Sequence, residues 1–304
     1  MKRFAISVPA SSANIGPGFD SAGLALNRYL TLEVSGQEKW EITQDSDFLP
    51  PITHYEDHFI YETAKQIAEQ HNEILPACKV NIKSNIPLAR GLGSSASAVL
   101  AGIELANQLC SLALSMEHKL TYATEMEGHP DNVAPVLFGG MVVSAATKHG
   151  IDYLELPVLD LDIVVYIPDV ELQTDAARSV LPNHFSRQDA AAASGISNLM
   201  IASLMAKDYA LAGKMMEQDL FHEPYRAALI PNYQLIRSEA KKYGAFGTVI
   251  SGAGPTMISF APKGEGNAIA AQMKADFPAY EVAALNIDQK GLQVIQDLEN
   301  EAAD

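Results

Sequence analysis

The segment best suited to chemistry reads Pro87-Leu88-Ala89-Arg90-Gly91-Leu92-Gly93-Ser94-Ser95-Ala96-Ser97. Gly91 and Gly93 let the backbone turn tightly and bring N–H groups to an anion without a Cβ in the way. Ser94 and Ser95 follow, as residue types that cap helix N-termini. Free amides and the positive end of a helix dipole then converge on one point, which suits a phosphate. A serine hydroxyl there is also a suitable ligand for nucleotide-bound magnesium. No GxxxxGK[ST] string occurs, which excludes a Walker A loop. Gly91, Gly93 and Ala96 formally fit the dinucleotide pattern GxGxxG/A, with Glu117 as the ribose-binding acid of an alternative oxidoreductase. Against that alternative, Pro87 to Arg90 separate the strand from the first glycine, where the fingerprint has glycine directly. A plain helix start with flexible glycines is the simplest competing explanation.

The elements that must position this loop alternate between strand and helix patterns. Phe4 to Val8 reads as an opening strand, and Thr31 to Val34 and Trp40 to Thr43 as strands of one hairpin-like region. Phe59 to Gln70 sets Ile60, Ala64, Ile67 and Ala68 on one helical face. Lys79 to Lys83 is a strand that leads into the glycine loop, and the Ala- and Leu-rich run from Ser95 to Leu109 is a helix. Ile163 to Ile167 is a buried strand, and one long helical section spans Gln188 to Gln218. The string Ser251 to Thr256, SGAGPT, taken alone, is a turn between two strands. A helix near Ala268 to Ala275 and a strand near Val282 to Leu285 follow. The class is mixed α and β, with a lobe boundary near residue 155 that divides 1–155 from 156–304.

Composition excludes several classes of partner. The 304 residues carry a formal net charge of −16, against phosphate-backbone binding and against an anionic membrane surface. No nucleic acid or membrane partner is expected. Cys78 and Cys110 stand alone, without metal-ligand spacing, as small buried hydrophobes. The N-terminus lacks an apolar run long enough for a secretory signal, and the expected compartment is the cytoplasm.

The Pro87–Ala96 segment is similar to the signature P-x-x-x-G-L-G-S-S-A of the small-molecule kinases for galactose, homoserine, mevalonate and phosphomevalonate. That family's other two motifs are recognisable in order, as PASSANIGPGFDSAGLAL near the N-terminus and SGAGPT near the C-terminus. The wording PASSANIGPGFD, EGHPDNVAPVLFGG and TDAARSVLP resembles the homoserine branch. The resemblance implies an α+β, two-lobe small-molecule kinase fold. Its N-terminal lobe would contain a left-handed βαβ unit (ribosomal protein S5 domain 2-like), and its C-terminal lobe would be ferredoxin-like. MgATP would lie between the lobes, and the reaction would be ATP-dependent phosphorylation of the side-chain hydroxyl of L-homoserine. A sister kinase acting on another hydroxylated metabolite such as mevalonate is the alternative. A homodimer is a further expectation from the family.

The same resemblance implies roles for individual residues. Arg90 to Ser97 would wrap the triphosphate, and Ser95 with Glu127 would hold Mg2+. Arg178 and Arg226 would take the substrate carboxylate, a task that suits the bidentate guanidinium fork. Asp20 would accept from the ammonium, with Asn14 and Thr174 as further polar contacts. Asp131 aligns with the base of the mevalonate branch, and Asn132 follows it. In the homoserine branch magnesium and Arg178 would carry the charge, which makes a distinct base unnecessary. His129 would be a positioning residue. Gly252 and Gly254 would support the first glycine loop from above.

Overall fold

A computed structural model describes residues 3–46 and 48–296. The first ten elements are β1 (Phe4–Ala13), β2 (Ala22–Gly36), β3 (Glu41–Asp45), α1 (Phe59–Gln70), β4 (Cys78–Ser84), α2 (Ser94–Leu109), α3 (Met116–Glu127), α4 (Pro130–Phe138), β5 (Met141–Thr147) and β6 (Gly150–Glu155). The chain continues through β7 (Leu161–Ile167), α5 (Thr174–Ser179), α6 (Arg187–Met205), α7 (Tyr209–Met216), α8 (Glu223–Arg226), α9 (Tyr233–Lys242), β8 (Gly247–Ile250), β9 (Met257–Pro262), α10 (Gly266–Asp276), β10 (Glu281–Leu285) and β11 (Gln293–Gln296). Among the described residues, no helix is long and apolar enough to cross a membrane.

The first sheet has the order β11-β1-β2-β4-β3, with β5 attached to the other end of β2 and β6 to β5. The hairpin expected over Thr31–Thr43 does not form. Strand β4 lies between β2 and β3, antiparallel to the first and parallel to the second. Its inward residues Cys78, Val80 and Ile82 are buried, and a central strand of that kind needs a neighbour on each edge. A parallel pair also needs a crossover, which α1 supplies in the βαβ unit β3-α1-β4. Helices α2 and α4 cover the inner face of this sheet, and their Leu100, Ile103, Val133 and Leu137 join Ile6, Leu24 and Leu32 in one core.

The second sheet is antiparallel throughout, in the order β10-β7-β9-β8. Counted within the lobe, that order is 4-1-3-2, with helices between its first and second strands and α10 between its third and fourth. This is the ferredoxin-like arrangement. The helical section expected over Gln188–Gln218 divides into α6 and α7 at Lys207, which adopts φ +59°, and Asp208 then caps α7 by accepting from the Leu211 amide at 3.0 Å. Strand β11 returns to the first sheet and pairs with β1, a return that the division at residue 155 does not include.

One close approach sets the height of the site. A Cβ on Gly23 of β2 would lie 1.9 Å from the carbonyl oxygen of Asp131, so the first turn of α4 rests directly on the strand. Gly195, by contrast, is exposed in α6 with nothing near its missing Cβ. Gly23→Ala is therefore expected to lose about 1–3 kcal/mol by overpacking, whereas Gly195→Ala gains about 0.5–1 kcal/mol from helix propensity. Urea denaturation of the two variants checks both signs, and a neutral Gly23→Ala would contradict the packing described.

Candidate active site

The glycine loop leaves β4 and enters α2 through two left-handed residues, Gly91 at φ +74° and Gly93 at φ +69°. Gly93 is itself the N-cap of α2, without a side-chain cap. Ser94 and Ser95 are therefore not caps; they stand in the first helical turn, because the left-handed glycine completes the turn before them. A Cβ on Gly93 would lie 2.0 Å from Ser11 Oγ, and one on Gly91 would lie 2.3 Å from the Ser251 carbonyl oxygen. Only glycine fits at either place. The 251–254 turn rests on the loop, with Ser251 Oγ donating to the Gly91 carbonyl at 2.6 Å and the Gly252 amide donating to the Ala13 carbonyl at 3.0 Å. Gly252 and Gly254 both line the cleft at this contact.

The loop residues divide into two groups. Leu92, Ala96 and Ser97 are buried, and the Ser97 hydroxyl donates to the Pro9 carbonyl at 2.7 Å, so the side chains of these three serve the core. Pro87, Leu88, Ala89, Arg90, Gly91, Gly93, Ser94 and Ser95 line a cleft of about 1410 Å³ between the two sheets. Arg90 donates to the Leu88 and Pro168 carbonyls and lies 3.4 Å from Asp169, which ties the loop to the second lobe.

Ser95 Oγ donates to Glu127 Oε1 at 2.6 Å across the start of α2. Burial raises the Glu127 carboxyl above its usual range, against the Ser95 hydrogen bond and the charge of His129, which lower it. A half-buried carboxylate beside an exposed hydroxyl at the cleft is a hard, anionic donor pair, the kind that suits a small divalent cation.

Farther along the cleft the charges pair with one another. Arg178 donates to Asp20 Oδ1 at 2.7 Å and Oδ2 at 3.3 Å, with both side chains about one-third exposed. Asp131 is buried at the start of α4, and its Oδ1 lies 2.5 Å from His129 Nδ1. Burial opposes charge on His129, but the Asp131 hydrogen bond and charge outweigh it and hold the imidazole above its ordinary value. Asn132 Oδ1 accepts from Ser11 Oγ at 2.8 Å. Asn14 spends both ends on the fold: its Nδ2 donates to the Gly252 carbonyl, and its Oδ1 accepts from the Asp20 amide. Arg226 is buried, and burial with the neighbouring Arg178 lowers its guanidinium to about 10, still charged at neutral pH. Thr174 lines the same cleft at the start of α5. The structure thus brings Asn14, Asp20, Glu127, Asp131, Asn132, Thr174, Arg178 and Arg226 to one cavity. Glu117, the acid of the dinucleotide alternative, is not among its lining residues.

Residues 58–140 match the N-terminal domain of GHMP kinases, and residues 200–279 match the C-terminal domain. The chain is 55% identical to the homoserine kinase of Oceanobacillus iheyensis over 97% of this chain and 99% of that one. It is 44% identical to the homoserine kinase of Enterococcus faecalis, over 95% and 99% of the two chains. The crystal structure of homoserine kinase from Cytophaga hutchinsonii superposes with a TM-score of 0.84 at 30% identity, over 97% of this chain and 98% of that one. The chain belongs to the GHMP kinase family. Leishmania major mevalonate kinase, at 17% identity and a TM-score of 0.72 over 97% of this chain and 96% of that one, shares the fold.

Within this family of ATP-dependent kinases, several residues that shape the cleft had weak sequence signals. Leu49, Pro50 and Ile52 line it from the segment between β3 and α1, and Phe59 from the first residue of α1, where no motif marks them. Ser11 and Phe19 belong to the PASSANIGPGFD motif, but only their contacts with Asn132 and the two arginines reveal what they do. His129 folds onto Asp131, and the sign of its titration is testable. The raised histidine contributes stability below its ordinary value of about 6.5, and that stability is lost as pH rises through the folded value. In Asp131→Asn the anion is gone and the burial remains, so His129 should titrate lower than in the wild-type kinase. An NMR titration of its ring protons checks this, and an unchanged midpoint would exclude the pairing as the cause.

Proposed function

We propose that this GHMP kinase transfers the γ-phosphoryl group of ATP to the side-chain hydroxyl of L-homoserine and yields O-phospho-L-homoserine, a step of threonine biosynthesis. The observation that carries the reading is the cleft itself. It joins a left-handed glycine loop at a helix N-terminus to a matched Asp20–Arg178 pair that fits a zwitterion. Homoserine offers an ammonium to Asp20 and a carboxylate to Arg178 and Arg226, so each partner of the ion pair finds a replacement. Mevalonate carries a carboxylate but no ammonium, and its entry would leave Asp20 without a counter-charge. That asymmetry favours the amino acid.

The triphosphate is assigned to the amides of Gly91 to Ser95, with the apolar wall of Leu49, Ile52 and Phe59 available to the nucleobase. Ser95 and Glu127 fit a magnesium ion, which when bound neutralises phosphate charge. Phosphoryl transfer passes through a loose transition state, and positioning and charge neutralisation account for most of the acceleration. The bond between the γ-phosphorus and the bridging oxygen breaks as the hydroxyl oxygen bonds to phosphorus, and the hydroxyl proton is released. Asp131, buried beside His129, which is bonded to its Oδ1, would receive it. Arg178 would stabilise the negative charge on the transferred group.

A coupled ADP-release assay with L-homoserine, L-serine, mevalonate and galactose tests the substrate, and turnover selective for homoserine is expected. Selective turnover of a different acceptor would move the substrate while keeping the kinase. Asp131→Asn should lower kcat by no more than about a hundredfold, the low end for a general base; a loss above about ten-thousandfold with folding intact would make Asp131 an obligatory base. Arg226→Lys keeps the charge and loses the fork, so it should raise KM for homoserine about tenfold or more, as the loss of a charge-assisted hydrogen bond implies. A kcat defect without a KM defect would contradict that assignment.

A further inference from the structure

We propose that His222 is a positioning residue for the acceptor end of the cleft, acting through Arg226 and the 14–20 loop. Its ring is fully buried, with Nδ1 3.2 Å from Arg226 Nη1 and Nε2 3.0 Å from the Gly16 carbonyl oxygen. A guanidinium only donates and a carbonyl only accepts, so Nδ1 must hold a lone pair and Nε2 a proton. One neutral tautomer satisfies both partners at once. Burial, reinforced by the positive charge of Arg226 and opposed by Asp219 at 3.7 Å, lowers the histidine below its ordinary value and keeps it neutral. Asp219 fixes the backbone beneath it, with Oδ2 accepting the amides of His222 at 2.8 Å and Glu223 at 2.7 Å.

What His222 holds is the geometry of two substrate contacts. Arg226 also donates from Nε to the Ala177 carbonyl at 3.0 Å and from Nη1 to the Gly252 carbonyl at 3.1 Å. Its Nη2 makes no hydrogen bond among the described residues and remains for a ligand in the cleft that Arg226 lines. On the other side Phe19 stacks on the His222 ring at 5.4 Å and 24°, and its neighbour Asp20 enters the cleft. The guanidinium carbons of Arg178 and Arg226 lie 5.7 and 5.5 Å from the same Phe19 ring. Without His222, Arg226 loses the acceptor that orients its fork, and the loop loses the bond that seats Gly16.

This inference rests on the proposed homoserine reading, and its test separates the two. His222→Leu removes both ring contacts, whereas His222→Asn returns an acceptor toward Arg226. The Leu variant should raise KM for L-homoserine about tenfold or more, the worth of one charge-assisted hydrogen bond, with KM for ATP essentially unchanged. The Asn variant should recover most of that loss. An unchanged homoserine KM in folded Leu variant, equal rises in both KM values, or an Asn variant no better than Leu would overturn the proposal. A long-range 15N–1H spectrum of the wild-type protein near neutral pH supplies a readout that needs neither substrate nor variant. It should show His222 as the neutral Nε2–H tautomer; an imidazolium or an Nδ1–H tautomer would overturn the arrangement. Absence of homoserine turnover by the wild-type protein would defeat the substrate reading, and the spectrum would still decide the role of His222.

Discussion

Between the two sheets, the backbone of Gly91 and the 251–254 turn approach so closely that no side chain fits between them. The Ser251 hydroxyl, buried between the layers, donates to the Gly91 carbonyl and lies 2.8 Å from Ser12 Oγ. Three motifs far apart in the chain therefore meet within hydrogen-bonding reach. The direction of the glycine-loop amides follows from this contact, because the Gly91 carbonyl is already committed to the turn on the other side. A loop held only by its own sequence would sample many orientations, and the ordering cost would fall on each ligand it bound. Here folding meets that cost once.

The charges of the cleft run against those of the molecule. A net charge of −16 repels a triphosphate at long range, but screening confines that repulsion to roughly 10 Å at moderate salt. Inside the cleft two guanidinium groups stand beside the ring of Phe19, and the helix start adds its amides. Arg178 is partly exposed and paired with Asp20, an interaction worth only about 1 kcal/mol or less in that setting. A pair of that size yields readily to a ligand that satisfies both members. Arg226 differs: it is buried, bonded to two carbonyls and one imidazole, and acts as a fixed feature of the wall.

Much of the site could be read from residue order, and the reason is local. Gly91, Gly93, Ser95, Glu127 and Asp131 belong to short strings in which backbone geometry and chemistry are specified together. The α1 and α2 helices were legible for the same reason, since their periodicity lies within a single element. Strand order was not. The placement of β4 between β2 and β3 depends on which buried faces find neighbours, and a hairpin-like spacing in the sequence misdirects that choice. The break at Lys207 was equally invisible, because one residue at positive φ interrupts an otherwise uniform helical composition.

By itself, the sequence carried a glycine loop suited to a phosphate, and its three motifs in order resembled those of a two-lobe family of small-molecule kinases. The loop's suitability follows from residue types at short spacing, where steric rules act within a few bonds, whereas the lobes, the activity and the roles of the charged residues came with the resemblance. Only the tertiary structure decided that Asn14 braces a turn, that Ser97 serves the core, and that Asp20 and Arg178 pair with each other. It alone showed His222 bonded both to Gly16, 206 residues away in sequence, and to Arg226. The physical reason is that hydrogen-bond partners are chosen by proximity after burial, and burial is a property of the whole packed chain.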